Sequence, residues 1–202
     1  MTTDTLLQKV VEFTTPTNCL LCFKEPKIIC DACYGRALSP LPPGDIDAVT
    51  SYEDLGKELI GRFKFNGDQE AGRLCARYMA ALVQADDYDV VTAATTTPAR
   101  RRQRGYDQAE VLAKEVAHRL RLPYAKSLVR IKNTHQIGKG RLERLAQSEG
   151  LYVATNARAI TSKRVLLIDD VTTTGATLRS AAGTLLDAGA ESVYCLAFAR
   201  EV

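Results

Sequence analysis

Apolar residues along this chain gather in short strand-like runs and then recur at helical spacing, and the alternation repeats. Val90-Val-Thr-Ala93 and the runs over residues 125–131, 151–154, 165–168 and 193–198 predict strands, while 108–121 and a stretch ending at Leu186 predict helices. In the helix over 108–121, Ala109, Leu112, Ala113, Val116 and Leu120 share one face, which marks that face as core. Upstream, residues 48–52 predict a short strand, and 53–63 and 69–83 predict two helices parted by Asn66-Gly67-Asp68. Strands alternating with helices predict an α/β domain: a parallel sheet covered by helices on both faces, taking ligands at the carboxyl ends of its strands. Pro40, Pro42, Pro43 and Gly44 break the chain ahead of this pattern, so the expected division is a small N-terminal segment, 1–44, and an α/β domain, 45–202. Leu6, Leu7, Val10 and Val11 fit one packing face of a short helix at the start.

With 202 residues and 46% hydrophobic content, the chain can bury one good core and a small appendage. It has no run of transmembrane length and none of signal-peptide length near Met1, so the expectation is a cytoplasmic protein without membrane insertion. Four of the six cysteines cluster as Cys19-x2-Cys22-x7-Cys30-x2-Cys33. Two such close pairs can bring four thiolates around one tetrahedral Zn²⁺, and so short a segment needs that crosslink to fold. Four thiolates leave no open coordination position, which makes the expected metal structural. Cys75 and Cys195 sit in helical and strand patterns and are expected in the core.

The formal charge is only +3, but it is unevenly placed. Residues 99–144 hold thirteen Lys/Arg against four Asp/Glu, and the rest of the chain holds fourteen against twenty. Arg100-Arg-Arg-Gln-Arg-Gly105 lies just after a strand and before a helix, on the predicted ligand edge. Such a strip can neutralise a diphosphate or follow a nucleic-acid backbone. The strongest candidate chemistry is Ile168-Asp-Asp-Val-Thr-Thr-Thr-Gly-Ala-Thr177. Asp169 and Asp170 stand where a strand should end, able to accept hydrogen bonds from sugar hydroxyls. Thr172, Thr173, Thr174, Gly175 and Thr177 open a helix whose N-terminal amides favour a phosphate.

That segment closely resembles the phosphoribosyl diphosphate (PRPP) signature of type I phosphoribosyltransferases. The resemblance implies that Asp169 and Asp170 hold the ribose hydroxyls, that the loop through Val171, Thr172, Thr173, Thr174, Gly175, Ala176 and Thr177 wraps the 5′-phosphate, and that Mg²⁺ arrives with the diphosphate. It also implies a closing loop over residues 133–150, where Lys139, Arg141 and Arg144 would join Arg100, Arg101 and Arg104 at the diphosphate. Taken with the cysteine pairs, Tyr52 and Lys64-Phe-Asn-Gly-Asp68, Arg104-Gly-Tyr-Asp-Gln-Ala109, and Thr134-His-Gln136 with Glu143-Arg144, the chain resembles the bacterial ComF family of competence-associated proteins. The fold so implied is a type I phosphoribosyltransferase-like parallel sheet flanked by helices, with a small N-terminal four-cysteine zinc segment.

The resemblance implies binding of PRPP and single-stranded DNA in DNA uptake and natural transformation, with Arg101, Arg102, Tyr106 and Tyr34 as DNA candidates and a DNA-uptake helicase as a candidate partner. The alternative is an active phosphoribosyltransferase that passes ribose 5-phosphate to a nucleobase or amine. Against turnover, Thr174 stands where purine transferases often place an Asp, and the chain ends straight after the last strand without a C-terminal hood. Three departures from the family pattern stand out. Ala93-Ala-Thr-Thr-Thr-Pro98 replaces a Val-Pro-Val-Pro run, Asp107 stands where Asn is usual, and Gln147 takes the place of another Asn.

Overall fold

The computed structural model describes residues 18–24, 27–131 and 151–201. The chain divides into two compact units, Met1–Ser39 and Pro40–Val202. In the first, Leu20 N–H donates to the Ile28 carbonyl and Phe23 N–H to the Cys19 carbonyl, closing a tight turn in which Phe23 takes φ 59°. A short helix, α1 (Asp31–Ala37), follows directly from Cys30.

The second unit is built on a four-stranded sheet of β1 (Asp47–Ser51), β2 (Val90–Ala93), β5 (Arg164–Thr172) and β6 (Ser192–Arg200), in the order β1-β6-β5-β2, with every pair parallel. Strands buried on both faces need apolar residues at successive positions, and Val165 through Ile168 are all fully buried. Helix α6 (Ala176–Asp187) packs on β5 and β6 through Leu178, Ala181 and Leu185, in one cluster with Val165, Leu167, Cys195 and Ala197. Helix α5 (Gln108–Leu120) lies on β2 and β5 and also meets α3 (Gln69–Ala80), which packs on α2 (Asp54–Phe65). Ala109, Leu112, Ala113 and Val116 are buried, as the helical spacing predicts, and Cys75 and Cys195 are core residues.

Three local expectations are corrected. The strands over 125–131 and 151–154 do not join the parallel sheet. They shorten to β3 (Leu128–Arg130) and β4 (Tyr152–Ala154), which pair antiparallel with each other, while Tyr124 alone bridges to Val91. Antiparallel neighbours need no crossover helix, and Leu128 and Tyr152 are buried in the α6-side cluster. The arginine run is helical rather than a loop: α4 (Pro98–Arg104) begins with proline, is capped by Thr97 Oγ1 and ends at Gly105 with φ 80°. Finally, Asp169 and Asp170 lie inside β5, not beyond its end. On the β6 side pairing continues to Thr172 opposite Arg200, whereas β2 leaves β5 at Ile168.

Candidate functional site

Because β2 ends at Ala93, opposite Ile168, the next residues of β5 are hydrogen-bonded on one side and face a cleft on the other. The cleft, about 250 Å³, is lined by Asp169, Asp170, Val171 and Thr177, and by Arg100 from α4, Thr96 and Asp107 from the β2–α5 connection, Lys64 from α2 and Arg130 from β3. Five residues expected at the ligand therefore do share one site: Asp169, Asp170, Val171, Thr177 and Arg100.

Burial, followed by the charge of Asp170, holds the Asp169 carboxyl well above the usual carboxylate range, with Lys64 opposing. Its Oδ1 accepts the Asp170 amide at 2.8 Å. Lys64 Nζ lies 3.0 Å from Asp170 Oδ2, with both side chains only 14% exposed. One cation and two adjacent acids thus form the polar floor of the cleft, and acceptors so placed suit hydroxyl donors.

Beyond β5, Gly175 caps α6 with φ 76°, and a Cβ there would press into Ile46 Cδ1 and the Arg179 guanidinium. Arg179 donates to the Thr174 carbonyl and to Asp45, tying down the turn. Thr173, Thr174 and Ala176 are exposed, whereas Thr172 is 6% exposed within the strand. Thr174 Oγ1 accepts the Ala176 amide at 3.4 Å.

The neighbouring arginines part company. Arg100 faces the cleft, while Arg101 and Arg102 are exposed. Arg101 reaches Glu110 Oε2 at 3.6 Å, a carboxylate also met by Lys114 at 2.8 Å and Lys126 at 3.4 Å. Burial works against the Glu110 charge, but these lysines outweigh it and keep the carboxyl below its usual range. Tyr106 is half-buried, its hydroxyl donated to the Phe63 carbonyl and its ring 5.7 Å from that of Phe63. Tyr34 is half-buried, with its amide donated to Cys30. The Arg104 side chain and Lys139, Arg141 and Arg144 fall outside the described residues.

In the N-terminal unit the sulfurs of Cys19, Cys22, Cys30 and Cys33 all lie within 4.8 Å of one another. Cys22 Sγ and Cys30 Sγ are 3.6 Å apart, and all six cysteines are free thiols. A tetrahedral zinc with bonds of about 2.3 Å requires sulfur–sulfur edges of roughly 3.8 Å, so the donor set fits that ion. Second partners orient the ligands: the Cys30 amide donates to Cys19 Sγ at 3.4 Å and Arg36 to Cys33 Sγ at 3.3 Å. The amide bond leads the effects that lower the Cys19 thiol to about 6, while burial raises Cys30 to about 12.

Sequence reasoning does not single out Lys64, Thr96, Arg130 or Arg179 as site residues. Lys64 stands only within a family-like motif, and no local pattern ties it to an acid 106 positions later. Arg130 ends a three-residue strand, 8% exposed, over the Tyr152 ring at 5.6 Å.

A parallel sheet opening on paired acids, followed by a phosphate-type turn into a helix, defines a type I phosphoribosyltransferase fold, and a family model described as phosphoribosyl transferase domain matches residues 107–201. Curated relatives of the chain are the ComF competence proteins. The chain is 37% identical over 145 residues to the Competence protein ComFC of Bacillus subtilis (strain 168), covering 70% of this chain and 58% of that protein. Against the Competence protein ComFC of Streptococcus pneumoniae (strain ATCC BAA-255 / R6) it is 28% identical over 154 residues, covering 76% and 67%. Among solved structures, an adenine phosphoribosyl transferase of Trypanosoma brucei aligns with a TM-score of 0.49 and 12% identity, over 81% of this chain and 87% of that one. The chain thus spans less than two thirds of its Bacillus relative's length.

Proposed function

We propose that this chain binds PRPP in the cleft beside β5 and acts in DNA uptake as a PRPP-responsive, single-stranded-DNA-handling protein of the cytoplasm. The observation that carries the ligand assignment is the meeting of Asp169 and Asp170 with Thr177 and Arg100 around one cavity. The acids accept the ribose hydroxyls, the Thr173–Thr177 turn and α6 N-terminus take the 5′-phosphate, and Arg100 and Arg130 face the diphosphate. Mg²⁺, carried by the diphosphate and hydroxyls, would spread the remaining phosphate charge. Zn²⁺ holds the four-cysteine segment together as a structural ion.

The DNA assignment rests on the exposed Arg101 and Arg102 and on kinship with competence proteins. Stacking by Tyr34 and Tyr106 is the less supported part, because Tyr106 is already engaged with Phe63. A DNA-uptake helicase is the partner this role calls for. No helix among the described residues is long and apolar enough to cross a membrane.

The test is calorimetric titration of the full chain with PRPP and Mg²⁺, paired with diphosphate-release assays on the common nucleobases. Saturable PRPP binding without release is the expected result. Release with one base would make the protein a working transferase, and no binding by the wild type would remove the assignment.

A further inference from the structure

Lys64 is a feature of the cleft that neither the phosphate turn nor the arginine helix explains. It stands in the last turn of α2, outside the segment matched by the phosphoribosyl transferase model, yet its ammonium reaches the floor of the cleft. A lysine with only 14% of its side chain exposed has given up most of its hydration, and such a cost is met only by a specific partner. That partner is Asp170, one of two consecutive acids in the same strand.

We infer that Lys64 is a positioning residue of the sugar site: its ammonium orients Asp170 beside Asp169 and offsets the negative charge gathered there, so that the pair can receive a vicinal diol. The inference rests on the PRPP reading of this cleft and extends it to a residue of α2. Its physical basis is the crowding of negative charge. Asp169 and Asp170 are neighbours in sequence, Asp107 adds a third carboxylate to the same wall, and the charge of Asp170 raises the cost of ionising both Asp169 and Asp107.

The charged groups facing the pair come from four other elements. They are Lys64 on α2, Arg100 on α4, Asp107 at the start of α5 and Arg130 on β3, with the Cys75 thiol of α3 near Asp170 and the Tyr152 hydroxyl of β4 and Cys195 thiol of β6 near Asp169. Lys64 stands in ion-pair contact with Asp170. A diol donates two hydrogen bonds, so the orientation and charge of the acceptor oxygens set how tightly it binds. An ordinary tertiary ion pair would make a different contribution: it would fasten α2 to the sheet and leave the site's titration untouched.

Binding of PRPP with Mg²⁺ across pH 5–9 separates the two roles, using the full chain as wild type, Lys64→Met and Lys64→Arg, with thermal melts alongside. Removing an opposite charge within hydrogen-bond distance moves a carboxylate up by about 1–3 pH units. The expected result is an acid-side binding midpoint raised by at least about one unit in Lys64→Met and restored in Lys64→Arg. A lower melting temperature with an unmoved midpoint would overturn the inference and leave a structural staple.

A second measurement covers misfolding of the methionine variant and does not need the ligand. In carbon-13 NMR titration of the aspartate carboxyls, assigned with Asp169→Asn and Asp170→Asn, Asp169 should titrate higher in folded Lys64→Gln than in wild type and Lys64→Arg. An Asp169 titration that does not move with the charge at position 64 would refute the inference directly. Wild type that titrates as expected but does not bind PRPP would sink the ligand assignment and not the charge-setting role of Lys64.

Discussion

The Asp107 carboxylate accepts the Thr96 amide at 2.7 Å with one oxygen and the Glu110 amide at 3.1 Å with the other. One residue therefore caps α5 and fastens the loop leaving β2, which forms a wall of the cleft. A carboxylate here supplies two acceptor oxygens, where an amide would supply one.

Replacing Asp107 by Ala should lower stability by roughly 1–2 kcal/mol, the usual cost of a lost N-cap, and should weaken ligand binding by releasing Thr96. Asp107→Asn should keep the cap and change the pH response. Burial leads the effects that raise the Asp107 carboxyl, with the two amides opposing, so its stabilising contribution is present at low pH and falls as pH rises through the folded value. Urea melts of the three proteins at pH 5 and 8 check this. A variant with Ala as stable as wild type would count against the capping role.

The two floor acids should respond in opposite directions. Asp169 is held above the carboxylate range, so its charge costs stability near neutral pH, and Asp169→Asn should leave the melting temperature unchanged or raised. Asp170→Asn leaves Lys64 without its carboxylate in a poorly hydrated place and should cost roughly 1–3 kcal/mol. Both changes should abolish PRPP binding. Calorimetry and thermal melts on the two single variants measure both quantities, and equal shifts in melting temperature would contradict the described charge environment.

Asp89 and Arg164 join the start of β5 to the chain entering β2 through a forked pair, at 3.2 Å to Nε and 3.1 Å to NH2. Hydrogen bonds from the Arg164 side chain, then its amide, lower the Asp89 carboxyl to about 2. A depressed acid contributes stability above its unfolded value near 3.9, and that contribution is lost as pH falls towards 2. Asp89→Asn should therefore be less stable than wild type at pH 7 and converge with it only as pH falls through about 2. Parallel stability curves down to pH 2 would argue that the pair is neutral to folding.

Protein purified under reducing conditions should carry one equivalent of zinc, lost on changing any of Cys19, Cys22, Cys30 or Cys33 to Ser. Chelation should unfold the N-terminal unit and spare the α/β unit, because ligation and local folding are coupled. Elemental analysis with limited proteolysis before and after chelation reads both effects. Metal-free protein with an intact N-terminal unit would defeat this expectation.

Folding stability should be nearly unchanged when the exposed Arg101 and Arg102 both become Ala, but affinity for single-stranded DNA should fall. Each backbone phosphate that an arginine no longer neutralises should flatten the logarithmic salt dependence by about 0.7. Fluorescence anisotropy with a labelled oligonucleotide across a salt series provides the comparison. Superimposable curves would confine these arginines to solvent and to Glu110.

Features carried by neighbouring residues are legible in the chain itself. The two Cys-x2-Cys pairs announce a four-sulfur cluster because each turn places its own two thiols together. The apolar run at 165–168 announces a buried parallel strand, and the Thr/Gly segment after it announces a turn into a helix, since Gly175 alone there tolerates φ 76° beside Ile46. The paired acids are legible for the same reason, being adjacent in the chain. What the tertiary structure decided is how distant segments meet. It put Arg100 in the cleft and Arg101 outside it, because successive helical residues point about 100° apart once α4 is docked. It let β6 run four residues past β2 along β5, opening one flank of Asp169. It also brought Lys64 to Asp170 across 106 residues of chain, a pairing that no periodicity encodes, because it exists only after α2 has packed its apolar face and carried the lysine to the floor of the cleft.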